Sequence, residues 1–413
     1  MKSWPEVYIP TIDSKFKFPP LSLFNSASRK IQELPRKDVY RMYVCGITPY
    51  DSTHMGHAAT YLTFDLVNRY LRATKAEVRF VENITDIDDP LLERASRDSV
   101  DWRVLAESQI DLFRSDMTSL RIVPPLSYIG AVEAIGLVTT KIEELRKAGA
   151  IYLVEKDLYF RVHSDPNFGS RSHLSHNEAM KIFSERGGDP DRAGKENALD
   201  SFVWLSKREN EPGWPSIHGE GRPGWHIECC AIALAYLEPD SKDEYLIDIQ
   251  GGGSDLIFPH HEMSAAQARV STGKDFSRMY VHSGMIGLDG EKMSKSRGNL
   301  VFVSTLTQSG VNPMAIRCAL LMQNYRVDRM WSEDLLYQAH TFLESLTLQL
   351  SQTECAPTDQ VIQSIVNALA DNLDTEEVFS ILRQWINQCQ AGLTGGQPGE
   401  LSRALDTLLG LAV

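Results

Sequence analysis

"VYRMYVCGITPYDSTHMGHAATYLTFDLVNRYLRATKAEVRFVENIT", residues 39–85, holds three segments of different rhythm. "VYRMYVCGI" (39–47) is apolar and β-branched enough for a buried strand. "HAATYLTFDLVNRYLRA" (57–73) places Tyr61, Leu62, Phe64, Leu66, Val67, Tyr70 and Leu71 at helical spacing. "AEVRFVENIT" (76–85) is the next strand. Strand, helix, strand makes a βαβ unit, which predicts a parallel sheet with ligands at the carboxyl ends of its strands.

Working outward, a mainly helical region is expected over 102–148, then a hairpin at "AIYLVEKDLYFRV" (150–162) and a Gly- and charge-rich passage, "ERGGDPDRAGKEN" (185–197). The sheet resumes with "EYLIDIQGGGSDLIF" (244–258) and "RMYVHSGMIGL" (278–288). From about Asn312 the pattern is helical to the end, broken by a linker near "TECAPTD" (353–359) and a turn at "GLTGGQPGE" (392–400). The expected division is an N-terminal extension (1–38), a first half of the sheet domain (39–100), a connective insertion (101–220), a second half (221–310) and a C-terminal helical bundle (311–413).

The 413 residues, 42% hydrophobic and 23% charged, suffice for a full core in two or three domains. The start, "MKSWPEVYIPTIDSKFKF", has no apolar core of signal-peptide length, and no run of about 18 apolar residues occurs, so a cytoplasmic location without membrane attachment is expected. The net charge of −13 and an acidic C-terminal region, whose only lysine or arginine residues after Arg329 are Arg383 and Arg403, argue against a protein that grips long nucleic acid. Six irregularly placed cysteines (Cys45, Cys229, Cys230, Cys318, Cys355, Cys389) do not form a disulfide framework; they read as buried thiols or metal ligands.

Two motifs carry chemistry. "THMGH" puts His54 and His57 at the start of the expected helix, where unpaired N–H groups and the helix dipole favour an anion. Gly56 lets a nucleotide base or phosphate lie close to the backbone. The same pattern also fits one capping histidine and one surface histidine. "LDGEKMSKSRGN" (288–299) sets Lys292 and Lys295 in a Gly- and Ser-rich loop, suited to following charge onto a departing pyrophosphate or, alone, to a solvated basic loop.

"HMGH" and "KMSKS", in this order and flanking a split α/β sheet, resemble the two signatures of class I aminoacyl-tRNA synthetases, which activate an amino acid with ATP. The resemblance implies an α/β fold: a Rossmann-like parallel sheet, an inserted helical and mixed region, and a C-terminal α-helical bundle. It also implies that His54 and His57 contact the ATP phosphates while Lys292 and Lys295 stabilise the pyrophosphate side, with Mg²⁺ accompanying ATP. Within that class the chain resembles cysteinyl-tRNA synthetases, whose zinc positions match Cys45, Cys229 and His260, one Zn²⁺ per chain. Thiolate and imidazole suit zinc, and three protein ligands leave a position for a cysteine substrate's thiolate, which serine's hydroxyl matches poorly. Cys230 and His261 then read as neighbours. The implied adenylate pocket comprises Cys45, Gly46, Ile47, Thr48, Thr60, Asn83, Ile84, Thr85, Trp225, Gly253, Ser254, Asp255 and Ile286. Without the resemblance, Thr85 and Asp86 equally read as caps of "DIDDPLLERA", Trp225 as core and "GGGSD" as a turn.

The chain departs from the synthetases in three places. The fourth zinc ligand, a Glu in that family, is Ser264 here; "CGPTVYD" appears as "CGITPYD"; and the insertion carries "ERGGDP". With the chain ending in an acidic bundle, these features resemble the mycothiol-pathway cysteine ligases, synthetase paralogues that join cysteine to the amine of glucosaminyl-inositol. The expected substrates are ATP, L-cysteine and glucosaminyl-inositol, with tRNA disfavoured and a monomer as the default. The rival readings are a compact cysteinyl-tRNA synthetase and an inactive cysteine- or nucleotide-sensing paralogue.

Overall fold

The computed structural model describes residues 1–51, 53–237, 242–288, 290–293 and 298–413. Its centre is a parallel sheet in which strands run in the order Asp275–Ser283, Tyr245–Gly253, Val39–Val44, Glu77–Ile84, Ser127–Gly130. The first of these in the chain, Val39–Val44, is the middle strand. The chain moves outward from it on one side through Glu77–Ile84 and returns on the other through Tyr245–Gly253. That reversal opens a crevice beyond the carboxyl ends of Val39–Val44 and Tyr245–Gly253, where ligands of open α/β sheets bind.

The strands are buried on both faces, as expected of a parallel sheet covered by helices: Met42, Tyr43, Val44, Val81 and Ile249 are all fully enclosed. The helix Met55–Ala73 crosses between the first two strands, and nearly every residue from Ala58 to Leu71 is buried, polar ones included. It lies between the sheet and the C-terminal helices, touching both.

Two boundaries differ from the sequence reading. The expected helical stretch 102–148 is broken into helices Trp102–Ser119 and Ile135–Lys147 by Ser127–Gly130, a four-residue strand that pairs with Val81–Ile84 and belongs to the central sheet. The sheet domain therefore extends past residue 101. The inserted unit proper is a separate antiparallel sheet, Ile151–Val154, Asp157–Phe160, Ser201–Ser206 and Gly221–Pro223; helix His176–Glu185 packs against the turn Ile257–His261, and its Ala179 and Phe183 share one apolar cluster with Phe160 and Val203 of that sheet. Likewise the helical C-terminal region contains a short strand, Arg329–Trp331, paired with Ile286–Leu288.

The N-terminal segment is tied down along its length. Trp4 donates its indole N–H to the Ile122 carbonyl at 2.7 Å, and the hydroxyls of Tyr70 and Thr407 donate to the carbonyls of Pro19 and Pro10 at 2.7 and 2.8 Å. Lys15 pairs with Asp359 and Glu400 at 2.8 and 2.6 Å. Beyond Ser332 the helices Glu333–Leu350, Asp359–Ala370, Thr375–Gln390 and Pro398–Leu409 form a bundle around Phe379, Leu382, Trp385, Leu405 and Leu408, whose core is continuous with that of the sheet domain. No helix of the described residues is long and apolar enough to cross a membrane.

At the junction, a buried charge cluster replaces apolar packing. Asp65 of helix Met55–Ala73 receives Arg69 Nε at 2.7 Å and also pairs with Arg317. All three side chains are fully buried. The guanidiniums also donate to the carbonyls of Leu120, Arg121, Asp406 and Leu409 at 2.6–2.7 Å, so they satisfy the carboxyl ends of helices Trp102–Ser119 and Pro398–Leu409.

Candidate active site

A cavity of about 780 Å³ occupies the crevice. Its floor is built where the central strands end. Val39–Val44 runs directly into Cys45, Gly46, Ile47 and Thr48; Tyr245–Gly253 delivers Gly253 and, through a short turn, Asp255. A Cβ on Gly46 would fall 1.6 Å from the Asn83 carbonyl oxygen, so only glycine allows the two chain segments to pass there.

His54 is the N-cap of helix Met55–Ala73, and its Nδ1 accepts from the Gly56 amide at 3.1 Å. That bond leaves Nε2 as the protonated nitrogen. His57 stacks on His54 with ring centres 3.8 Å apart and planes 24° from parallel, and its Nδ1 is buried without a partner among the described residues. Burial pushes His54 down to about 4, against the partial support of Asp255 and Asp51, and holds His57 well below the usual imidazole range, with His54 adding to the effect. Both rings are therefore neutral donors near pH 7. The helix terminus itself offers less than the sequence suggests, because the amides of Met55 and Gly56 already donate to the Val301 carbonyl at 2.9 Å and to His54 Nδ1 at 3.1 Å.

The Met55 bond has a counterpart, Val303 N–H to Thr53 carbonyl at 3.0 Å, and together they form an antiparallel bridge between His54 and Phe302. The histidine motif is thus laced to the segment that follows the lysine motif. Lys292 sits in a two-residue strand with its backbone paired to Gly287. Lys295 lies outside the described residues.

These pKa shifts give the site an acid liability. An unfolded histidine titrates near about 6.5, so between that pH and about 4 the unfolded chain binds more protons than the folded one and stability falls as pH falls. The denaturation midpoint should drop on acidification through this window, and less steeply in a His54→Asn/His57→Asn double variant. Equal slopes would refute the neutral, buried state of the two rings.

Cys45, Cys229 and His260 converge beside the histidine motif, with their donor atoms all within 4.8 Å of one another. Cys45 and Cys229 sulfurs are 3.7 Å apart, and His260 Nε2 is 3.1 Å from Cys229 Sγ. Cys229 comes from the helix Trp225–Tyr236 and His260 from the turn before helix Glu262–Thr272. His260 is fixed on its other side by His226, Nδ1 to Nδ1 at 3.0 Å, and by the Trp225 ring stacked at 4.3 Å. Burial holds the Cys229 thiol well above its ordinary range, with Cys45 adding to the effect. Two thiols and an imidazole in a closed, preformed cluster fit a zinc ion, which deprotonates such a thiol on binding. Ser264, at the fourth-ligand position, is turned away: its hydroxyl donates to the carbonyls of His260 and His226 at 2.9 and 3.0 Å. His261 bonds Cys45 Sγ at 3.3 Å and His282 at 2.7 Å, and Cys230 is buried, its thiol pushed up to about 12 by burial.

Of the residues expected in the adenylate pocket, the cavity is lined by Cys45, Gly46, Ile47, Thr48, Thr60, Trp225, Gly253 and Asp255. Asn83, Ile84, Thr85 and Ile286 are buried behind that lining; Ser254 lies on the short turn between Gly253 and Asp255. Asn83 acts as a strut there, accepting from the Tyr43 hydroxyl at 3.0 Å and the Gly46 amide at 2.9 Å, and donating to the Thr85 hydroxyl at 3.3 Å. The cavity also has lining that the sequence reading did not place there: Asp88, Asp89 and Glu93, Phe202, His226, Met285, Met293 of the lysine motif, and the run Glu185–Asp189. Asp88 caps the helix Asp89–Asp98, and burial raises its carboxyl to about 6. The sequence reading offered Thr85 and Asp86 as caps; the helix begins later, at Asp89, and the cap is Asp88, which also faces the chamber.

Residues 31–341 match the family model described as tRNA synthetases class I (C) catalytic domain. The L-cysteine:1D-myo-inositol 2-amino-2-deoxy-alpha-D-glucopyranoside ligase of Rhodococcus jostii is 51% identical over 419 residues, covering 100% of this chain and 99% of that protein. The protein of the same name from Streptomyces coelicolor is 49% identical over 417 residues, covering 100% of both. Among solved structures, Mycobacterium tuberculosis methionyl-tRNA synthetase in complex with methionyl-adenylate superimposes with a TM-score of 0.64 at 16% identity, covering 91% of this chain and 88% of that one. An Agrobacterium radiobacter leucyl-tRNA synthetase, in a ternary complex, gives a TM-score of 0.64 at 12% identity, covering 92% and 84%. At such identities these two show a shared fold and no more.

Proposed function

Since the chain belongs to the family of class I (C) tRNA synthetase catalytic domains, we propose that it is an ATP-dependent, AMP-forming ligase that activates L-cysteine and passes it to the amine of glucosaminyl-inositol. One observation carries the mechanistic part of this reading. Cys45 belongs both to the Cys–Cys–His cluster and to the lining of the cavity that holds His54 and His57, so a thiol-binding corner and a phosphate-binding corner share one chamber.

In the first half-reaction the cysteine carboxylate attacks the α-phosphorus of ATP, forming cysteinyl-adenylate and expelling pyrophosphate. His54 and His57 meet the phosphates as neutral donors, which adds hydrogen bonds without fixing a charge in the resting site. Lys292 and Lys295 supply the positive charge that the leaving pyrophosphate needs, and Mg²⁺ travels with ATP. Cys45, Cys229 and His260 would hold a zinc ion, a borderline-soft Lewis acid that would distinguish a thiolate from a hydroxyl. Thr48, Trp225 and Asp255 border the same space and orient the amino acid. In the second half-reaction the neutral amine attacks the adenylate's carbonyl carbon, an amide bond forms, AMP departs, and the amine gives up a proton.

The experiment is AMP release by the purified chain with ATP and cysteine, comparing added glucosaminyl-inositol with added tRNA. Release driven by the amino sugar, together with an amide product by mass spectrometry, is the expected result. Release driven by tRNA alone would make the chain a compact cysteinyl-tRNA synthetase.

A further inference from the structure

One wall of the cavity is not built by the adenylate-forming sheet. Glu185, Arg186, Gly187, Gly188 and Asp189 reach it from the inserted unit, at the end of helix His176–Glu185. Arg186 donates to the backbone carbonyls of Asp255 and Phe258, in the turn that joins the strand Tyr245–Gly253 to His260. The wall is thus fastened to the very stretch that presents Asp255 and the metal-ligand candidate.

The middle of the segment, Gly187 and Gly188, carries no side chain. Gly187 has φ +83°, and a Cβ there would meet nothing within 4 Å; a Cβ on Gly188 would lie 2.5 Å from the Phe183 ring. Asp189 turns back into the insertion, accepting from the Tyr159 hydroxyl and from Lys195 Nζ at 2.9 Å. Glu185 carries the charge that remains, on an exposed side chain whose ion partner, Lys181, stands 3.9 Å away. Elsewhere on the cavity lining are the carboxylates of Asp88 and Glu93. Bare backbone bordered by carboxylates accommodates a ligand with an ammonium and many hydroxyls.

We infer that Glu185–Gly188 forms the subsite for the acceptor, an amine-bearing polyol, with Arg186 as the positioning residue that holds this wall against the adenylate chamber. The inference rests on the ligase reading above. It separates the two half-reactions: cysteine-dependent ATP–pyrophosphate exchange needs no acceptor, whereas amide formation does.

The test measures both reactions for the wild type, for Glu185→Gln and for Gly187→Asn, whose side chain enters open space and which tolerates the positive φ better than most non-glycine residues. The KM for glucosaminyl-inositol should rise about tenfold in each variant while exchange stays within about twofold of the wild type, the pattern of lost acceptor binding. Exchange falling in parallel with amide formation, or an unchanged KM for the amino sugar, would overturn the subsite. A wild type that exchanges but forms no amide with the amino sugar would instead sink the ligase reading, and the subsite with it.

Discussion

Replacing Cys229 by serine should leave a folded chain that no longer retains zinc. The ligand atoms of Cys45, Cys229 and His260 are already gathered within 4.8 Å, so the site is preformed and each donor counts. Ser264 cannot substitute, since its hydroxyl is engaged by two backbone carbonyls. The loss of metal affinity should exceed the roughly 10–100-fold typical of removing an outer-shell partner. Metal content by mass spectrometry should fall from about one zinc per chain to about a tenth or less, and the charge-transfer band of a cobalt-substituted sample should change with it. Cys230→Ala is the control: it removes the next thiol on the same helix, buried and outside the cluster, and should keep the metal. Equal zinc in the two variants would show that Cys229 is only a core thiol.

Asp65→Asn should cost more stability than any surface change. It would leave Arg69 and Arg317 buried with no carboxylate between them, and breaking a buried pair from one side typically costs about 3–5 kcal/mol. Burial alone would raise the Asp65 carboxyl, but the two guanidiniums outweigh it and hold it below its ordinary range. The contribution is therefore complete above the unfolded carboxylate's pKa of about 3.9 and fades as pH falls through the lower folded value. Denaturant titration at pH 7 and at pH 3 checks both parts. A change below about 1 kcal/mol at neutral pH would mean that the arginines find compensation elsewhere.

The residues that proved legible in the sequence are those whose local rhythm or spacing carries the information. The βαβ unit around Met55–Ala73 follows from periodicity, and the cap at His54 from its place before an apolar helix. The cluster of Cys45, Cys229 and His260 was not legible from spacing, for its members lie 184 and 31 residues apart and meet only through the sheet order; resemblance supplied it. Ser127–Gly130 escaped notice because four residues between two helices leave no room for a strand pattern to repeat. Asn83, Ile84 and Thr85 close one strand end, yet burial put them behind the lining rather than on it. The wall at Glu185–Asp189 was visible as a glycine pair, but nothing local says that an insertion folds back over the crevice.

The N-terminal strap has a consequence for how the chain is made. Pro10 waits for the hydroxyl of Thr407, 397 residues downstream. At about 5–20 residues per second, that partner emerges from the ribosome roughly 20–80 s later. Lys15 likewise waits for Asp359 and Glu400, so Phe16 beside it stays uncovered on that side through most of synthesis. The stretch from Pro10 to Phe16 therefore stays loose between earlier anchors at Trp4 and Pro19 until the helices Asp359–Ala370 and Pro398–Leu409 arrive, and a bulky group placed on the Met1 amine would be held against the finished fold, where that amine bonds Glu133.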